Sequence, residues 1–261
     1  MTIVTIWTGN AARNFNYLVG CEVTGDALAV DPLDHGRCMA EARRRGWTIS
    51  QIVNTHEHGD HTGGNAALIA VTGATLLAHT EAPIPGVDRR VGHGDTISVG
   101  RSVTLQVLDT PGHTRAHVCL LRPGATPALL AGDTLFNAGV GNCHNGGDPE
   151  LLYESFLTIL SVLPPSTALY PGHDYLARNL AFTLAREPSN RSARDLLDLV
   201  GTVDPPREFV SNLGLEREIN VFFRTAQPEV VAGVRRDVPD LPEIPSERAV
   251  FLALRMLRNR W

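Results

Sequence analysis

Between Thr55 and His61 the chain reads Thr-His-Glu-His-Gly-Asp-His. His56, His58, Asp60 and His61 put three histidines and an aspartate within six residues. Imidazole nitrogen and carboxylate oxygen are donors suited to zinc, iron or manganese. A histidine-rich surface loop is the plain alternative, and the density of the run argues against it. Three later stretches repeat one form, a glycine-containing turn after a short apolar run. They are Pro111-Gly112-His113-Thr114, Ala131-Gly132-Asp133-Thr134 and Pro171-Gly172-His173-Asp174. A lone histidine at a strand end is ordinarily structural or solvated. Taken together, the three turns deliver His, Asp and His in the order that completes two metal shells.

The rest of the composition narrows the chemistry. All 23 basic residues are arginine, so Schiff-base and P-loop lysine chemistries are excluded. The four cysteines, Cys21, Cys38, Cys119 and Cys143, show no CxxC spacing, which leaves no cysteine-rich zinc ribbon. Any metal must be bound by histidine and aspartate.

Those residues need rigid elements behind them. Residues 2–6, 15–19 and 27–30 read as short strands, the last ending at Asp31-Pro32. Asp34 is an N-cap candidate for a helix running to Arg45 and stopped by Gly46. Residues 49–54 form an apolar strand that ends in the histidine-dense turn, and 63–72 reads as a short helix. From 75 to 136 the pattern is mostly β, with runs at 75–78, 102–108, 118–121 and 128–131. Residues 149–162 are amphipathic at helical spacing, and 168–170 is a last strand. From Tyr175 the chain turns helical and proline-punctuated, through Pro188, Pro205, Pro206, Pro228, Pro239, Pro242 and Pro245. Ser246 caps a final helix with Val250, Leu254 and Leu257 on one face. The expectation is a mixed α/β core over 1–173 and a helical C-terminal domain over 174–261.

A chain of 261 residues that is 43% hydrophobic can bury a substantial core, and 20% charged residues with a mean hydropathy of −0.05 excludes global disorder. No apolar run approaches the roughly 20 residues of a membrane helix. Residues 1–9 lack the basic start of a secretory leader, so a cytoplasmic chain with reduced thiols is expected. A net charge of −5 argues against a dedicated nucleic-acid binder.

The THxHxDH run, the PGHT histidine, the GDTLF aspartate at 132–136 and the PGHDY histidine together resemble the metallo-β-lactamase superfamily. Within it the chain is most similar to the glyoxalase II (hydroxyacylglutathione hydrolase) family. Residues 171–190, the FFR at 222–224 and the C-terminal LRMLRNRW carry that likeness. The resemblance implies an αββα sandwich with metals at one edge and a helical C-terminal domain. It implies two divalent ions, zinc first and iron or manganese otherwise. His56, His58 and His113 would bind one ion, Asp60, His61 and His173 the other, and Asp133 would bridge them. A shared hydroxide would attack a thioester of the S-D-lactoylglutathione type, and Asp60 would steady the attacking water. Asp31 is a candidate partner for a ligand histidine, with a turn-forming Asp-Pro as its alternative.

The same likeness assigns substrate contacts to Tyr175 and to the C-terminal pair Arg255 and Arg258, one helical turn apart. The stretch after GDTLF departs from the family. Asn142 replaces a cation there, and His144 stands where a tyrosine is common. One charge-assisted contact to glutathione's carboxylates is therefore missing, at about 1 kcal/mol or more.

Five alternatives remain, the first a hydrolase of the same kind whose thioester is a different one. A glutathione persulfide dioxygenase would hold a single iron through His56, His113 and Asp133. An RNA-processing nuclease of the same fold is disfavoured by the acidic charge. A scaffold with a vestigial site is disfavoured by the complete ligand set. A β-lactamase would be expected in the periplasm. The expected partner is a glutathione thioester substrate, with no nucleic acid or membrane, on a monomer or weak homo-oligomer.

Overall fold

The computed structural model describes residues 1–201 and 209–261. Pro205 and Pro206 lie outside the described residues. Strands β1 (Thr2–Trp7), β2 (Phe15–Gly20), β3 (Asp26–Val30), β4 (Thr48–Val53), β5 (Thr75–His79) and β6 (Arg89–Val91) form one six-stranded sheet in that order. The first three pair antiparallel, and β3 to β6 run parallel. Three helices lie between its strands in sequence: α1 (His35–Arg45), α2 (Gly59–Thr62) and α3 (Asn65–Thr72). Asp34 caps α1 by accepting from Arg37 N, and Gly46 ends it at φ 67°, a left-handed conformation that glycine adopts without a Cβ penalty.

The second six-stranded sheet is built from β7 (Thr96–Val99), β8 (Val103–Asp109), β9 (Val118–Arg122), β10 (Ala128–Gly132), β13 (Ala168–Pro171) and β14 (Ser211–Asn212). A small hairpin, β11 (Leu135–Phe136) and β12 (Gly139–Val140), follows β10. Helix α4 (Pro149–Ser155) continues as a π-helical turn over Phe156–Leu160, so the amphipathic 149–162 stretch is not one regular α-helix. The wide turn sets the Phe156 ring 4.4 Å from Phe223 and 5.3 Å from Phe251. The C-terminal part holds α5 (Leu176–Arg186), α6 (Arg191–Val200), α7 (Leu213–Ile219), α8 (Pro228–Arg235) and α9 (Glu247–Arg258).

Three apolar clusters define the layers. Tyr17, Val30 and Leu77 from the first sheet meet Leu105, Val107 and Leu120 from the second, so the sheets pack face to face. The outer face of the first sheet buries Ile52 and Leu76 with Cys38, Ala42 and Leu68 of α1 and α3. The outer face of the second buries Leu121, Leu129 and Leu169 with Leu152, Val234, Phe251 and Leu254 of the later helices. This is the expected αββα sandwich. Alternation supports it locally: in β8, Val103, Leu105 and Val107 point inward while Thr104 and Gln106 are exposed.

The topology brings the chemistry to one edge. β8 and β10 are each antiparallel to β9, so they run the same way, and β13 is parallel to β10. Their C-terminal ends therefore share an edge, and the Val118 N–H donates to the Thr55 carbonyl at 2.8 Å, joining the turn after β4 to it. No helix among the described residues is long and apolar enough to cross a membrane.

Candidate metal centre

Each expected ligand follows a strand. His56, His58, Asp60 and His61 follow β4, His113 follows β8, Asp133 follows β10 and His173 follows β13. Their donor atoms form two groups, His56–His58–His113 and Asp60–His61–His173. His58 Nδ1 lies 3.1 Å from His56 Nε2 and 2.9 Å from His113 Nε2. His61 Nε2 and His173 Nε2 are 3.2 Å apart, and Asp60 Oδ2 is 3.4 Å from His173 Nε2. Asp133 stands between the groups. Its Oδ2 is 3.4 Å from His113 Nε2 and 3.2 Å from His173 Nε2, and its Oδ1 is 3.4 Å from His61 Nε2.

The distal ring nitrogens decide what these short contacts mean. His113 Nδ1 donates to the Asn142 carbonyl at 2.6 Å, His173 Nδ1 to the Ala12 carbonyl at 2.7 Å, and His58 Nε2 to the Asn145 carbonyl at 3.0 Å. His61 Nδ1 donates to Asp31 Oδ2 at 2.9 Å. His56 Nδ1 donates to Thr55 Oγ1 at 3.0 Å, whose own proton goes to Asp31 Oδ2 at 2.7 Å. With the ring protons spent outward, bare lone pairs face one another inside. Only a cation or an added proton reconciles that arrangement. Tetrahedral zinc with bonds of about 2.0–2.1 Å would put its donors about 3.3 Å apart, close to the observed spacings. The buried Asp133 Oδ1 has no hydrogen-bond partner. The donor set therefore fits divalent metal.

Electrostatics agree. Burial alone would raise the Asp133 carboxyl, but His173, His61 and His113 around it hold it well below the usual carboxylate range. Burial pushes the His61 imidazole down, and the Asp133 and Asp31 carboxylates outweigh it, raising it to about 9. Burial depresses His56, with the charge of His61 adding to it, and burial depresses His113 as well.

Asp31 is the partner of a candidate ligand as well as a turn residue. It is buried at φ 49° and also accepts from Thr55 N at 2.8 Å. Two supports had no signal in the sequence. The His117 ring stacks on His56, and its Nε2 accepts from the Asp133 N–H at 3.1 Å. Asn14 Nδ2 donates to Asp60 Oδ2 at 3.1 Å.

The expected substrate residues are placed less uniformly. Tyr175 stacks on His173 with ring centroids 5.0 Å apart and donates to the Ala12 carbonyl. Asn142 is exposed, with Oδ1 accepting from the His144 N–H at 3.1 Å, and His144 is exposed beside it. Arg258 is half-buried and donates to Asn179 Oδ1. Arg255 is 4% exposed, and burial lowers its guanidinium to about 10.

Residues 15–173 match the metallo-beta-lactamase superfamily, and residues 174–261 match the hydroxyacylglutathione hydrolase C-terminus. The chain is 57% identical over 263 residues to the hydroxyacylglutathione hydrolase of Nitrosococcus oceani, covering 100% of each chain. It is 56% identical to that of Polaromonas sp., again over 100% of each. Among solved structures, ETHE1 from Myxococcus xanthus aligns with a TM-score of 0.69 over 99% of this chain and 98% of its own, at 24% identity, a likeness of fold alone. Fold, site and full-length identity agree that the chain belongs to the hydroxyacylglutathione hydrolase family of the metallo-β-lactamase superfamily.

Proposed function

We propose that this chain hydrolyses glutathione thioesters of the S-D-lactoylglutathione type to glutathione and a hydroxy acid. The observation that carries the reading is the pair of inward-facing donor groups with Asp133 between them. His56, His58 and His113 would hold one ion, Asp60, His61 and His173 the other, and Asp133 both, with zinc first and iron or manganese as alternatives. Two such ions supply a nucleophilic hydroxide at neutral pH and polarise a carbonyl.

The chain's own groups do the rest. Asp60, with its side chain 38% exposed and Oδ2 held by Asn14, would accept a hydrogen bond from the attacking water. Asp31, Thr55 and the carbonyls of Ala12, Asn142 and Asn145 hold each imidazole in the tautomer that presents a lone pair. The reaction forms a C–O bond and breaks the C–S bond, and the thiolate leaves with little need of a general acid. Residues 1–173 carry this chemistry and residues 174–261 bear on the substrate, through Tyr175 and Arg258. Asn142 and His144 rim the site without a charge for glutathione's carboxylates. A reducing cytoplasm suits four free thiols and a glutathione substrate. The chain acts as a monomer or weak homo-oligomer.

The preassembled Asp60–His61–His173 group favours two ions over the single iron of a persulfide dioxygenase. Metal-counted protein assayed with S-D-lactoylglutathione and with glutathione persulfide separates them. Thioester loss without oxygen uptake is expected. Oxygen uptake with persulfide and an intact thioester would overturn the reading.

A further inference from the structure

We propose that Arg255 is a positioning residue for His113 and Asp133 and not a contact to substrate carboxylates. The inference rests on the metal-centre reading above. Arg255 lies on α9, 4% exposed, and its Nη1 donates to the carbonyls of Val140 and Gly141 at 2.8 and 2.9 Å. Its Nη2 donates to Asn259 Oδ1 at 2.8 Å. Both terminal nitrogens thus donate to neutral acceptors, two buried carbonyls and the exposed Asn259 at the helix end, while the buried Nε has no hydrogen-bond partner among the described residues.

Those two carbonyls are the last grip on the β11–β12 hairpin before the chain meets the centre. A Cβ at Gly141 would fall 1.9 Å from the Asp133 carbonyl oxygen and 3.0 Å from His113 Nδ1, so the Gly141 backbone is pressed directly on both residues. One residue on, the Asn142 carbonyl takes the His113 Nδ1 proton at 2.6 Å. The hairpin links the two partners by chain, since it runs from just after Asp133 to just before Asn142.

The turn of the same hairpin is held from other C-terminal helices. Glu216 on α7 accepts from the Ala138 N–H at 2.8 Å, and Asn179 on α5 donates to the Asn137 carbonyl at 2.9 Å. Arg255 completes that grip at the end nearest His113. Three residues along a helix turn the side chain by about 60° from its neighbour's direction, and this separates the pair: Arg255 points into the core and Arg258 stays at the boundary.

The outer-shell partner of a metal-ligating histidine commonly carries about 10–100-fold of metal affinity. Zinc-loaded wild type and Arg255→Met are compared by zinc retained against increasing chelator, and by KM and kcat for S-D-lactoylglutathione. Arg255 acts one link behind that partner, the Asn142 carbonyl, so the variant is expected to lose one zinc at up to about 10-fold lower chelator strength, with KM within about twofold of wild type. Wild-type zinc retention with a KM raised tenfold or more would overturn the proposal and make Arg255 a substrate contact. Should Arg255→Met fail to fold, Arg255→Lys decides. One ammonium cannot span both carbonyls and Asn259, so zinc retention is expected to fall several-fold, and retention equal to wild type overturns the proposal. The zinc readout needs no turnover. Wild type that binds two zincs but spares the thioester refutes the hydrolase reading and leaves this test standing.

Discussion

Asp31→Asn isolates the carboxylate that sets the tautomer of His61. Asp31 accepts three protons, from Thr55 N at 2.8 Å, Thr55 Oγ1 at 2.7 Å and His61 Nδ1 at 2.9 Å. Asparagine has nearly the same shape and tolerates φ 49°, so the backbone is not asked to move. It offers one oxygen where Asp offered two. With that oxygen toward Thr55 N, the amide N–H₂ faces His61 Nδ1, which must become an acceptor. The ring proton then sits on Nε2, the atom that faces His173 and Asp133, and the inward lone pair is gone. With the amide flipped, its N–H₂ opposes the Thr55 N–H and a buried donor pair is left unmatched. Either outcome costs about 1–3 kcal/mol, or roughly 5- to 150-fold in the affinity for the ion near His61. Chelator competition on zinc-loaded protein measures this, with circular dichroism to check the fold. One zinc released more readily and a parallel fall in kcat are expected. Wild-type affinity for both ions in Asp31→Asn would refute the tautomer argument.

Gly172→Ala tests Asp133 from its other side: the new Cβ would lie 2.2 Å from Asp133 Oδ1 and 3.0 Å from His61 Cε1. Metal–ligand distances tolerate about ±0.2 Å, so metal content should fall on elemental analysis and activity with it, while thermal unfolding shifts only by the roughly 1–3 kcal/mol of overpacking. Metal loading should depend on pH on one side of the centre. His61 is raised to about 9 by the Asp133 and Asp31 carboxylates acting against burial, so it must shed a proton to bind. Affinity of the Asp60–His61–His173 group then weakens about tenfold per pH unit below that value, whereas His56 and His113, depressed by burial, have no such proton to lose. Equilibrium dialysis from pH 8 to pH 6 should show one ion lost first. Asn142→Lys keeps the main-chain carbonyl on His113 and adds a charge at an exposed position. KM for S-D-lactoylglutathione should drop several-fold, the factor for about 1 kcal/mol, and become salt-sensitive; an unchanged KM places the glutathione carboxylates elsewhere.

The centre was the most legible part of the sequence because its donors are dense and each sits where an apolar run ends. His56 to His61 needed only their spacing, and His113, Asp133 and His173 needed the glycine turns before them. Asp31 was ambiguous because a turn residue and a carboxylate partner share one sequence sign, and in the structure it is both. His117 and Asn14 were illegible since their partners lie 16 and 46 residues away and no periodicity marks them. The strands Arg89–Val91 and Ser211–Asn212 are too short for an alternating pattern to form. Helix Gly59–Thr62 is likewise below one periodic repeat, so its residues carry only the sign of a turn. Arg255 and Arg258 looked equivalent on a helical wheel, and packing against Phe222 and the Val140 carbonyl distinguishes them.

The central claim is that two ions share this edge with Asp133 between them. Anomalous diffraction from crystals of the zinc-loaded protein tests it most directly. Two peaks within about 4 Å of each other are predicted, one among His56, His58 and His113 and one among Asp60, His61 and His173, with Asp133 in contact with both. A single peak at full loading, or an Asp133 carboxylate turned away from the pair, would contradict the account.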